Sequence, residues 1–104
     1  MINYDNSVKK AIREKIEDNE TKIQFLINEY EVKRDEVGKK IAEMKFYEMA
    51  RAQGISCSDE YMNAVIAVEE AKKEHEKMQR DNNAEIDCLK RKNSIWQKVL
   101  YAEK

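Results

Sequence analysis

The chain has one histidine, His75, and it is the first place to look for chemistry. A helical di-metal site wants Glu-x-x-His, because residues three apart share a helix face and can close on one ion. The residue three before His75 is Lys72, so that pattern fails. Zinc would need cysteines or carboxylates converging on the imidazole, and Cys57 and Cys88 are both remote from it in sequence. His75 therefore reads as a polar residue within a helix interface. Paired carboxylates recur at Glu17-Asp18, Asp35-Glu36 and Glu69-Glu70, but charge runs on helices are ordinarily solvated faces. Acid–base catalysis also needs a concave, water-poor pocket to shift a pKa. Two glycines and one histidine cannot build a phosphate loop, a nucleophile elbow or a Ser-His-Asp set. The expectation is a chain with no enzymatic activity, metal, cofactor or small-molecule substrate.

Positive charge is the next candidate. Residues 90–104 hold Lys90, Arg91, Lys92, Lys98 and Lys104 against the single acid Glu103. Residues 1–15 hold Lys9, Lys10, Arg13 and Lys15 against Asp5 and Glu14, with Tyr4, Trp96 and Tyr101 close by in the two segments. Cationic side chains neutralise phosphates and aromatic rings stack on bases. Lys9, Lys10, Arg13, Lys90, Arg91, Lys92 and Trp96 thus form an alternative, nucleic-acid-binding set. A competing explanation is that bases near a helix C-terminus complement its dipole. Residues 59–87 have the opposite balance, nine acids against four bases, and suit a basic groove in another protein. Small phage- or mobile-element-encoded inhibitors block their targets in this way, an analogy of size and charge. The net charge of −1 gives no global pull toward nucleic acid or anionic lipid.

Helices must position these groups. Proline is absent, and charged residues make up 39% of the chain against 41% hydrophobic and 8% aromatic. That profile fits long helices or coiled coil. Ile16, Ile23, Tyr30, Val37 and Met44 recur every seven residues, as do Tyr61, Val68, His75, Asn82, Leu89 and Trp96. Members of the two sets pair so that their numbers sum to 112: Ile16 with Trp96, Ile23 with Leu89, Met44 with Val68. Ile12 with Leu100, Asn19 with Asn93 and Leu26 with Ile86 obey the same sum. One reversal near Ser56 generates every layer, so the fold class is all-α, an antiparallel two-helix coiled-coil hairpin in a single domain.

The expected bounds are residues 6–53 for the first helix, 54–58 for the turn and 59–102 for the second helix. Asp5, Asn6 or Ser7 is expected to cap the first helix, Gly54 to close it in the left-handed conformation, and Ser58 to cap the second. A break is possible at residues 81–83, where Asn82 and Glu85 imitate a capping box. Asn19 opposite Asn93 reads as a register lock. The middle layers, Lys33 with Gln79 and Lys40 with Lys72, read as a weak core.

A second apolar set lies off this seam: Phe25, Val32 and Phe46 at one heptad position of the first helix, Ile27 and Ile41 at another, and Ala64, Ala71, Met78 and Val99 on the second helix. Exposed apolar patches mark contact sites. The simplest occupant is a second copy, making a C2 dimer and a four-helix bundle. The main expectation is a protein-binding adaptor or inhibitor using Phe25, Val32, Phe46 and Met78, together with Ile55, Asp59, Glu60 and Tyr61 at the turn. The stretch Met1 to Lys15 lacks an apolar signal core and no apolar run reaches ~20 residues. Two cysteines too far apart on one helix to bridge are expected to stay reduced, so a cytoplasmic protein is expected.

The turn also carries a local likeness. Ala50-Arg51-Ala52-Gln53-Gly54, followed by Asp59-Glu60-Tyr61, resembles the coiled-coil tip of the Gre transcript-cleavage factors over about a dozen residues. In that family the hairpin enters the secondary channel of bacterial RNA polymerase and tip acids hold a catalytic magnesium. The resemblance would assign that role to Asp59 or Glu60. The chain departs from the family in having Ile55 where the family has an acid directly after the tip glycine and Ser58 near the place of the second acid, and a counterpart of the family's C-terminal globular domain is not expected.

Overall fold

The computed structural model describes residues 2–102. Two helices, α1 (Asp5–Ala52) and α2 (Ser58–Ala102), pack against each other as an antiparallel hairpin. Lys104 and Glu103, counted above in the basic end, lie outside the described residues. The chain divides into two compact units. One joins its terminal parts, up to Ile27 and from Asn82, and the other is Asn28–Asp81.

In the terminal unit Ile12, Leu26, Ile86 and Leu89 are buried. The register is held by amides. Asn19 Nδ2 donates to Asn93 Oδ1 at 2.8 Å, the 112 pairing in a single bond, and Asn93 Nδ2 donates to the Ile16 carbonyl at 3.2 Å. Asn82 Nδ2 donates to the Leu26 carbonyl at 2.8 Å. A slip of one residue would strand all three in a half-dry interface. The break near residue 82 does not occur: α2 is continuous, and the Asn82 side chain reaches across to α1 instead of turning back on its own backbone. Lys22 adds an ion pair with Glu85 at 2.9 Å, too exposed to contribute more than ~1 kcal/mol. At the start of α1 the capping side chain is Asn3. Its Oδ1 accepts from the Asp5 amide at 2.9 Å, while the Tyr4 carbonyl takes the first helical bond, from Val8. Asp5, Asn6 and Ser7 lie inside the first turn.

In the unit Asn28–Asp81 the fully inward residues are small: Ala50, Cys57, Ala64 and Val68. Here the expected layers need correction. Lys40 and Lys72 are exposed, whereas Ile41 and Ala71, whose numbers also sum to 112, are half-buried. Gln79 is exposed and Met78 half-buried beside it. Lys33 sends its ammonium to Glu36 at 3.2 Å and Glu74 at 3.8 Å. The physical cause is the mismatch between 3.6 residues per turn and a strict repeat of seven, which drifts ~20° per heptad. A double step of four, Lys33 to Val37 to Ile41, resets the inward stripe of α1. Ile27 and Ile41 on α1 and Ala64, Ala71 and Met78 on α2, expected off the seam, are half-buried or buried, whereas Val99 is exposed as expected.

The turn is built from backbone bonds. Gly54 adopts φ 88°, the Ile55 amide donates to the Ala50 carbonyl at 2.9 Å and the Gly54 amide to Arg51 at 3.0 Å. This pair of bonds is the Schellman closure. Tyr61 donates the first bond of α2 to the Cys57 carbonyl at 2.9 Å, so Cys57 occupies the capping position and Ser58 is already helical. Cys57 is buried and its thiol points to the Tyr47 carbonyl, Sγ to O 3.6 Å.

Candidate interaction surfaces

The turn-proximal end of the central unit leaves several large apolar side chains in water, on the outward faces of both helices and in the turn. Phe46 and Met49 precede the turn, Ile55 sits in it, and Met62 and Ile66 follow it, all between 52% and 66% exposed. Phe46 and Met49 are three apart, and Met62 and Ile66 four apart, so each pair forms one outward ridge of its helix. Phe46 leans edge-on against Tyr47, ring centroids 5.4 Å apart. Arg51 lies 4.7 Å above the Tyr61 ring, joining the last turn of α1 to the first turns of α2. Tyr61 is therefore half-buried beneath a guanidinium rather than a free tip residue. Asp59 and Glu60 are exposed in the first turn of α2, where the helix dipole favours them. Among the described residues no three His, Cys, Asp or Glu side chains converge as a metal site, and His75 is half-buried at the interface.

Phe25 and Val32 are also exposed, each on α1. Met49, Met62 and Ile66 are not in the off-seam sets that heptad counting gives, because on α2 that count takes the inward residues Ala64, Ala71 and Met78 for the outward stripe and on α1 it stops at Phe46. A signal existed: the run Ala64 to Val68 is apolar around the whole helix, so part of it had to face water.

The terminal unit carries the basic residues, but not as one face. Lys90, Arg91 and Lys92 are consecutive, so at ~100° per residue they fan around α2. Lys10 is exposed, and Trp96 is half-buried. The last turn of α2 as described to Ala102 holds no base. Because dipole effects fade beyond one turn, the helix end does not account for residues 90–92. Two open grooves, of ≈ 370 Å³ and ≈ 350 Å³, lie on this unit. The first is lined by Lys9, Arg13, Ile16, Gln97, Leu100 and Tyr101, and the second by Glu20, Ile23, Lys90, Asn93, Ser94 and Gln97. Gln97 lines both, so the two grooves adjoin at that residue, and together they form the furrow of this unit.

No protein-family model matches the chain, and neither the curated proteins nor the solved structures include a significant match. No described helix is long and apolar enough to cross a membrane.

Proposed function

We propose that this chain is a non-enzymatic protein-binding hairpin, an adaptor or inhibitor that contacts its partner through the turn-proximal surface of the central unit. The observation that carries this reading is that five large apolar side chains, Phe46, Met49, Ile55, Met62 and Ile66, are left in water within 21 residues, on the turn and on the outward ridges of the two helices beside it. Exposed apolar patches of this density are costly unless a partner covers them. Methionine suits such a surface, being unbranched and able to repack against irregular shapes. The turn beneath is pre-ordered by the Gly54 closure, the Arg51–Tyr61 contact and the buried Cys57, which lowers the entropy lost on docking. A second copy paired through Phe25, Val32 and Phe46 is the alternative occupant: of the α2 residues expected with them, Ala64, Ala71 and Met78 are taken up inward, while Val99 is exposed.

The test is affinity capture from the native host with three forms of the chain. A protein retained by the wild type should be lost with Met49→Ser/Met62→Ser/Ile66→Ser, whose helix content by circular dichroism should be unchanged. It should be retained with Asp59→Asn/Glu60→Gln. Loss with the second variant alone would favour polymerase-channel binding through the acids. Retention with the first would exclude the apolar surface.

A further inference from the structure

The furrow of the terminal unit has walls in phase. On α1, Lys9, Arg13, Ile16 and Glu20 step by four, three and four; on α2, Lys90, Ser94, Gln97 and Tyr101 do the same. Opposed members sum to 110, so the two ridges run side by side for about 16 Å, roughly three helical turns. Ile16, Ile23 and Leu100 are half-buried and Asn93 is buried. The walls therefore flank a partly apolar floor and carry three cations against the single acid Glu20.

A groove between two helices, its floor partly apolar where Ile16, Ile23 and Leu100 turn inward, with Lys9 and Arg13 at one end of the α1 rim and Lys90 on the α2 rim opposite Glu20, is shaped for a third helix. We propose that this furrow docks an amphipathic helix of a partner protein whose apolar stripe is flanked by glutamates or aspartates. Ridges spaced at three and four accept the matching ridge of an incoming helix. Lys9 and Arg13 meet its acids on one side and Lys90 on the other, while Ser94 and Gln97 supply hydrogen bonds between them. Charge of this kind sets orientation and excludes basic helices more than it adds affinity. Single-stranded nucleic acid fits less well, because the remaining bases Lys10, Arg91 and Lys92 do not line this groove and the floor offers Ile16, Ile23 and Leu100 rather than an open ring stack. The surface lies in the other unit from the turn-proximal cluster, and the two readings stand or fall separately.

Fluorescence anisotropy of the intact chain with three labelled probes tests the assignment. The probes are a designed amphipathic peptide of about three turns with leucine on one stripe and glutamate on its flanks, its lysine-flanked counterpart, and a twenty-residue oligothymidylate. The glutamate-flanked peptide should bind at least about tenfold more tightly than the lysine-flanked one. Arg13→Glu/Lys90→Glu should reverse that order, and Met49→Ser/Met62→Ser/Ile66→Ser should leave it unchanged. Both changed positions are exposed, and circular dichroism checks that the fold is retained. Equal binding of the two peptides, or binding of neither, overturns the proposal. Displacement of the peptide by oligothymidylate with steep salt dependence assigns the furrow to nucleic acid. Concentration-dependent self-association abolished by the charge reversal assigns it to a second copy, and so also overturns the proposal.

Discussion

Asn93 carries more of the hairpin's specificity than any aliphatic neighbour, because its amide serves two bonds across the interface, to Asn19 and to the Ile16 carbonyl. Every buried side-chain nitrogen and oxygen among the described residues has a hydrogen-bond partner. Removing one member leaves the others stranded, and that asymmetry sets the prediction. Asn93→Ala should cost about 1–3 kcal/mol in urea unfolding followed by circular dichroism. Asn19→Leu/Asn93→Leu removes both partners together and should recover most of that loss, at the expense of a unique register. A double variant as unstable as the single one would show that the amides contribute packing rather than pairing. This pair was legible in the sequence, since two asparagines at matched heptad positions have few other uses. The Asn82 bond to the Leu26 carbonyl was not. Its backbone acceptor leaves no mark in residue type, and Glu85 three residues on imitated a cap.

At the scale of elements, the two glycines should respond with opposite sign. Gly38 lies within α1, and an added Cβ would meet nothing within 4 Å. Gly38→Ala should therefore stabilise by about 1 kcal/mol, the helix-propensity difference. Gly54 has the same empty surroundings but φ +88°, where any Cβ is strained, so Gly54→Ala should destabilise by about 1–2 kcal/mol. Urea midpoints of the two variants against the parent check both signs, and a shift of Gly54→Ala in the stabilising direction would contradict the left-handed closure. The reversal at Gly54 and the pairing of the helices were readable because a seven-residue repeat and its mirror leave one place to turn. The inward face of the central unit was not readable in the same way. A strict repeat carried inward from the ends arrives one residue out of phase, exchanging Ile41 for Lys40 and Ala71 for Lys72. The furrow walls were partly legible, Lys9, Arg13 and Lys90 by charge, but Ser94 and Gln97 gain meaning only from the opposed ridge.

For the molecule as a whole, the distribution of buried volume predicts how stability is shared. No side chain among the described residues is fully buried, as follows when each helix has one helical neighbour. The terminal unit offsets this with Ile12, Leu26, Ile86 and Leu89 and with its amide bonds, whereas the central unit buries Ala50, Cys57, Ala64 and Val68. Each methylene absent from an interface forgoes about 0.8 kcal/mol, so the smaller core should open more readily. Native-state hydrogen exchange should then find amides of residues 61–75 and 37–48 at least about tenfold less protected than those of residues 86–97 and 12–26. The comparison leaves out the first and last turns of both helices, where fraying would dominate. That ordering bears on function, since the less protected unit is the one bearing Phe46, Met49, Met62 and Ile66. A surface that must repack against a partner is best carried by the part that opens at least cost, and docking should raise its protection toward that of the terminal unit. Uniform protection in the free chain would mean that the half-buried Val37, Ile41, Met44 and Tyr47 make up the difference. The central unit would then meet its partner as a rigid body rather than by adjustment.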